Sequence, residues 1–440
     1  MNKYTRRDLL RFSALGAMNG YAQTGASDYK ALVCVFLLGG NDGNNLIVPM
    51  GQTEFDAYKA IRGGLALPDN SAKLLPVQNS VDGTPFGLND GLKALHPLWA
   101  QGKLATVANM GNLVRPTTRA EYLAKTGPLP TNLFSHSDQT SQTQSGFPNT
   151  GGGTGWAGRV ADAANPLNGA ATFPASVSMS GPALFCTGGV VQSASLIPDF
   201  DLSLNGMDLW PATAAQARKA ALQELLTFDS GMAVVQAANR VRQDALQLNA
   251  MLKDTGASPP LATVFPGTTL GRQLRQVAKL IQLRAQTGMK RQVFFCALGG
   301  FDTHGAQGWA HWDLLTQVGD AMAAFHQSTV DLGVANQVTS FTLSEFGRSL
   351  QPSGTGSDHG WGNNQIVVGG AVQGGRVYGN FPVFALGGPN DSGNRGVWIP
   401  AISTEQFGAT LGTWFGLTPG QLATVFPNLG NFAQTNLGFV

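Results

Sequence analysis

The sequence predicts an α/β protein: a doubly wound, mostly parallel sheet with an inserted helical hairpin. Three observations carry that expectation. Apolar, β-rich runs recur along the chain and alternate with stretches whose apolar residues fall at helical spacing. Most of the runs are continuous rather than alternating, as in strands covered on both faces. One long stretch, Ala212–Lys253, is rich in Ala, Leu, Gln and Arg and has no strand signal.

Ala31–Leu38 (ALVCVFLL) opens the series and stops at Gly39-Gly40. Leu104–Met110, Ala175–Met179, Gln292–Leu298, Gln337–Leu343 and the shorter Gln365–Val368 read the same way. Between them helices are expected at Gly91–Gln101, after the capping residues Asn89-Asp90, and at Gly155–Ala164, Trp309–Val330 and Ser403–Phe415. Ala212–Lys253 continues as Thr269–Gln286 after a loop containing Ser258-Pro259-Pro260 and Pro266-Gly267. This reads as a helical hairpin inserted at about 205–288, a lid or packing module; a coiled-coil partner surface is the alternative. Cys34 and Cys296 lie inside apolar runs and read as small buried hydrophobes, and with Cys186 they are too few for a disulfide scaffold.

A chain of 440 residues can bury a large core. Its net charge of +2 argues against electrostatic nucleic-acid binding. No apolar run approaches the ~18 residues of a membrane span. The N-terminus reads as an address. Thr5-Arg6-Arg7-Asp8-Leu9-Leu10-Arg11, followed by the weakly apolar Phe12–Met18, resembles a twin-arginine export signal. Residues 1–28 are therefore set apart from a domain spanning 29–440, and a periplasmic or extracellular location is expected. That route carries folded proteins, often with a metal or cofactor installed.

In an open parallel sheet ligands bind beyond the carboxyl ends of the strands, and three such ends carry polar clusters. Gly39-Gly40-Asn41-Asp42-Gly43-Asn44-Asn45 presents Asp42 at the mouth of the first strand, either as a site residue or in a plain Asx turn. Gly299-Gly300-Phe301-Asp302-Thr303-His304-Gly305 sets a carboxylate and an imidazole two residues apart. That pairing suits a divalent metal taking mixed N/O ligands, or else a capping Asp beside a surface His. The third is composite: Ser344-Glu345-Phe346-Gly347-Arg348, then Ser357-Asp358-His359-Gly360. Phe134-Ser135-His136-Ser137-Asp138-Gln139-Thr140 adds hydroxyls beside an imidazole, or is a Ser/Thr-rich surface loop. His96, His311 and His326 read as structural.

GGNDGNN, the Ser-His cluster, GWAGR (155–159), GGFDTHG, SEFGR and DHGWGNNQIVVGGAVQGGRVYG (358–379) occur in this order over nearly the whole chain after residue 28. On these motifs the chain resembles the family known as domain of unknown function fifteen-oh-one (DUF1501). That family is similar to the alkaline phosphatase and sulfatase superfamily, whose two-metal site lies at the carboxyl edge of an α/β sheet. The resemblance implies metal ligation by Asp42, Asp302, His304, Glu345, Asp358 and His359. It also implies a nucleophile at Ser135, with Ser137 and Thr140 competing, and His136 beside it. Phe346 stands where an imidazole is normal, so one of the two metal positions is weakened, rebuilt with Asp358, or lost. The Cys/Ser-x-Pro-x-Arg run of formylglycine sulfatases is absent.

The resemblance thus implies an exported hydrolase of phosphate or sulfate esters using one or two divalent ions (Zn, Mn, Mg or Ca). Arg348 or Arg159 either holds the anionic ester oxygen of a small substrate or forms a structural ion pair. The alternative is a non-catalytic envelope or surface protein that keeps the fold for partner binding.

Overall fold

The computed structural model describes residues 28–149, 152–171, 173–198, 206–236, 238–239, 242–243, 246 and 259–440. The expected export signal lies outside the described residues. The protein is mixed α/β, with a mostly parallel central sheet.

Among the described residues twelve strands are formed: β1 (Lys30–Leu38), β2 (Ile47–Pro49), β3 (Leu74–Gln78), β4 (Pro85–Asn89), β5 (Leu104–Gly111), β6 (Ser176–Ser178), β7 (Ser193–Ser195), β8 (Arg291–Gly299), β9 (Val338–Leu343), β10 (Asn363–Gly369), β11 (Arg376–Tyr378) and β12 (Ile402–Ser403). The main sheet runs β11-β5-β10-β9-β1-β8-β6-β7, with β12 also on β5. β1 lies at its centre, parallel to both β8 and β9, and its residues 31–37 are fully buried. That is why ALVCVFLL is a continuous apolar run: both faces are covered. Cys34, Cys186 and Cys296 are buried free thiols.

Each apolar run read from the sequence falls on a strand, within one or two residues at either end. One direction differs. β10 is antiparallel to both β9 and β5. A strand of reversed sense starts where its parallel neighbours end, so residues just before Asn363 lie at the carboxyl edge of the sheet, beside the loops after β1, β8 and β9. A second, three-stranded antiparallel sheet, β2-β4-β3, was not expected; its strands are short and carry Pro and Gly.

Helix α1 (Gln52–Arg62) follows β2, and α2 (His136–Ser145) and α3 (Trp156–Ala164) precede β6. The 91–101 segment is not one helix: a 3-10 turn at Asp90–Leu92 is followed by a short helix at His96–Ala100, where Pro97 interrupts the pattern. α4 (Ala212–Thr227) belongs to a small compact unit, residues 197–262. α5 (Thr269–Gln282) belongs to the main unit, so the two arms of the expected hairpin fall in different units. Buried Gln273 on α5 brackets Ala297 of β8, accepting from its N–H at 2.8 Å and donating to its C=O at 3.0 Å. α6 (Gln307–Asp331), α7 (Thr404–Phe415) and α8 (Pro419–Val425) complete the main unit. No helix among the described residues is long and apolar enough to cross a membrane.

Candidate metal centre

The loop after β1 begins with two glycines at positive φ, +118° at Gly39 and +81° at Gly40. A Cβ on Gly39 would sit 2.3 Å from Asp302 N, and one on Gly40 would sit 2.3 Å from the Phe346 ring. The pair therefore lets the β8 and β9 loops close over the end of β1.

Four side chains meet there. His359 Nε2 lies 3.0 Å from His304 Nε2, 3.1 Å from His136 Nε2 and 3.2 Å from Asp302 Oδ1. His304 Nε2 is 3.0 Å from Asp302 Oδ1, and His136 Nε2 is 3.4 Å from Asp302 Oδ2. One ligand atom each from His136, Asp302 and His359 fits within a 4.8 Å span. The cluster is open to solvent: the side chains of Asp302 and His304 are about half exposed.

The opposite ring nitrogens settle the tautomers. His359 Nδ1 lies 2.8 Å from the carbonyl of Phe134, and His136 Nδ1 lies 2.9 Å from Glu345 Oε1. A carbonyl and a carboxylate only accept, so both Nδ1 atoms carry the proton. In the neutral rings both Nε2 atoms then offer lone pairs, 3.1 Å apart, with no hydrogen between them. Burial pushes the His359 pKa below its ordinary value, and the Phe134 carbonyl only partly offsets that. Two facing lone pairs beside a carboxylate are a donor set that suits a cation. Imidazoles held by acceptors at the far nitrogen are the usual support of a metal-binding histidine. Imidazole with carboxylate suits Zn, Mn or Fe better than Mg or Ca, which prefer all-oxygen sites.

The rings rest on Phe346, which is 1% exposed. Its centroid is 4.7 Å from that of His359 in a stacked arrangement, and 4.8 Å from that of His136. Phe346 has no donor atom to offer a metal; it is the floor on which the two imidazole rings rest.

Glu345, expected among the ligands, is buried one layer out. Its Oε1 also accepts from Gly39 N–H at 2.8 Å. Asp358 is likewise outside: Arg395 binds Oδ2, while Oδ1 stands 3.6 Å from His304 Nδ1. Asp42 is not brought into the cluster. It is fully buried in an ion pair with Arg62, accepts from Gln307 Nε2 at 2.5 Å and caps a 3-10 turn through Asn44 N–H. Since Asp42 and Glu345 are each committed elsewhere, the structure does not assemble an all-oxygen second position from them. Arg348 does not face solvent: at 1% exposure it binds Asp302 Oδ1 at 3.1 Å, Ser357 C=O at 3.0 Å and Gly39 C=O at 3.1 Å. Burial pushes the Asp302 carboxyl up, but the hydrogen bond and charge of Arg348, together with the neighbouring His304 and His136, hold it below the usual range. Arg159 binds the carbonyls of Ser145 and Val425, the last residues of α2 and α8. Both arginines are structural supports, and neither is free to bind an ester oxygen.

His136 was expected beside the nucleophile; its Nε2 lies among the candidate ligand atoms. No spacing rule links position 136 to 302 and 359, and the only sequence signal was scarcity, since the chain has six histidines. Ser135 donates to Asp138 Oδ2 at 2.6 Å, and Ser137 Oγ is 3.3 Å from the same oxygen. Thr140 follows one turn later on α2. His311 is buried on Asn41 Oδ1 at 2.9 Å, and burial depresses its pKa to about 4. His96 Nε2 donates to the Pro76 carbonyl at 2.9 Å.

The model of a family described as protein of unknown function, DUF1501, matches residues 29–391. No curated protein matches the chain.

Proposed function

The chain belongs to the DUF1501 family, and on that premise we propose that it is a metal-dependent hydrolase of phosphate or sulfate esters with an alkaline phosphatase-like fold. The observation that carries this reading is the facing pair of Nε2 lone pairs on His136 and His359, with Asp302 alongside and His304 at the rim. A divalent ion held there would polarise an ester oxygen and supply a nucleophile at neutral pH.

The chain's own residues have separable roles. His136, His359 and Asp302 bind the ion, with His304 as a fourth ligand or a proton acceptor at its exposed Nε2. Glu345 and the Phe134 carbonyl hold the Nδ1 protons. Arg348 keeps Asp302 ionised. His136 is the first residue of α2, so the unpaired N–H groups of that helix start beside the cluster and favour an anionic substrate. Ser135 is the favoured nucleophile among Ser135, Ser137 and Thr140, because its proton is already hydrogen-bonded to a carboxylate at 2.6 Å. Export through the twin-arginine route to the periplasm or medium belongs to the same reading; Arg6→Lys with Arg7→Lys should hold the precursor in the cytoplasm, and unchanged secretion would refute it.

The test is elemental analysis of the purified protein, together with aryl phosphate and aryl sulfate assays before and after chelation. Bound Zn or Mn, lost together with turnover in His359→Ala, is the expected result. A protein that takes up no ion and cleaves neither ester would instead leave the partner-binding reading.

A further inference from the structure

Beside the cluster, at the carboxyl ends of β1, β8 and β6, lies a cavity of about 350 Å³. Helix α2 forms one wall with Ser137, Thr140, Ser141 and Gln144. Their spacing, i, i+3, i+4 and i+7, puts all four on one helical face. Every residue on that face offers a hydroxyl or an amide. Gln144 Oε1 is held by Phe185 N–H at 2.9 Å, which fixes the side chain and leaves its N–H₂ group as a donor. The facing wall is mostly apolar, with Leu38, Leu184 and Phe295 and a single hydroxyl at Ser180. Among the described residues none that lines the cavity is charged. Ser137 follows the ligand His136 directly, so the cavity adjoins the metal centre.

We propose that this cavity receives the alcohol half of the ester, and that this half is a neutral, hydroxyl-bearing ring of sugar type. The proposal rests on the hydrolase reading above. A carboxylate or ammonium on the alcohol would be desolvated here without a partner, at high cost. A purely apolar group would leave the polar face of α2 unmet. A sugar ring has hydroxyls at its rim and C–H groups on its faces, which matches one polar and one mostly apolar wall. The volume is at the small end of ligand sites, enough for one ring but not for a dinucleotide. Hydrolysis breaks the bond from phosphorus or sulfur to the ester oxygen; water gives its oxygen to the released anion and a proton to the sugar hydroxyl.

Two measurements on the full-length protein test this. The first is saturation-transfer NMR with methyl α-glucoside, which has no anionic group and needs no turnover. The second is kcat/KM for glucose 1-phosphate against 3-phosphoglycerate with the metal-loaded protein. We expect glucoside binding that weakens about 3–10-fold in Gln144→Leu and in Ser141→Ala, the range for one lost neutral hydrogen bond. We also expect glucose 1-phosphate to be preferred by about tenfold or more, with that preference shrinking in both variants. Ser141→Ala removes one half-exposed hydroxyl and guards against misfolding of the Gln144 variant. Absence of glucoside binding, or binding unchanged in both variants, overturns the proposal. Equal hydrolysis of both esters without glucoside binding removes the sugar assignment and keeps the hydrolase. Glucoside binding that weakens in both variants, with neither ester cleaved, keeps the cavity as a sugar site but removes the hydrolase and with it the assignment to the alcohol half of an ester.

Discussion

Glu345→Gln separates support of a ligand from ligation itself. The Glu345 side chain is 2% exposed and its Oε1 takes two hydrogen bonds, from His136 Nδ1 at 2.9 Å and Gly39 N at 2.8 Å. Glutamine keeps an oxygen for both, removes the negative charge, and turns Oε2, which accepts from Ser344 Oγ at 3.3 Å, into a donor. The imidazole of His136 then becomes a weaker donor to the ion. Loss of such outer partners costs 10–100-fold in affinity, and the retained geometry puts this substitution near the lower figure, about 1.4 kcal/mol. Glu345→Ala also strands two half-buried N–H groups, so it should approach 100-fold and lower the folding free energy by about 1 kcal/mol. The assay is reloading of metal-stripped protein with Zn in competition with a chromophoric chelator. An unchanged affinity in Glu345→Gln would show that the carboxylate does not act on His136. A loss beyond 10³-fold would show that Glu345 binds the ion directly, as the sequence motif suggested.

Asp42→Ala leaves Arg62 charged in a fully buried pocket, so stability measured in urea should fall by about 3–5 kcal/mol. The metal content of the folded fraction should stay the same; loss of metal at unchanged stability would return Asp42 to the ligand set. Gly40→Ala puts a side chain at φ +81° and within 2.3 Å of Phe346, and should cost more than about 1 kcal/mol in thermal unfolding, while a neutral result would remove the close-approach argument. Burial raises the Glu405 pKa from 4.5 to about 7, since Oε1 accepts from Asn428 at 2.7 Å but Oε2 has no partner. A raised acid favours the folded state fully only below the unfolded value. Its contribution is lost as pH climbs from about 4.5 through 7, by about 3 kcal/mol in total. Urea midpoints at pH 4.5 and 8 should therefore differ more in wild type than in Glu405→Gln, and parallel pH profiles would contradict the shift.

The strands were legible because burial on both faces leaves no polar periodicity to confuse them, as in Ala31–Leu38. The broken helix after Asn89 was missed because the pattern was followed across Pro97. The β2-β4-β3 sheet was missed because strands of three to five residues with Pro and Gly give too short a run to read. At the site, strand-end logic singled out Asp302, His304 and His359, which lie together at one edge. It overreached at Asp42, because an acidic residue at a strand mouth looks the same whether it faces solvent or a buried guanidinium. The partner that decides the matter, Arg62, is an ordinary helical arginine in the sequence. Phe346 read as a missing ligand, although an aromatic floor beneath two imidazoles is its place in the fold. Pairing Glu345 with His136 spans 209 positions, which local patterns do not register.

The reversed direction of β10 has a consequence for the order in which the centre can form. His359 reaches the cluster only because β10 enters the sheet from the carboxyl edge, between β9 and β5. Until that strand has docked, the chain holds one histidine at the start of α2 and an Asp-x-His loop, separated by more than 160 residues of sequence. Neither piece is a chelate on its own. Such long-range closure comes late in folding and slowly. Capture of the proposed ion would therefore be an event of the finished sheet, and its identity would be set by the metal pool of whichever compartment completes the fold.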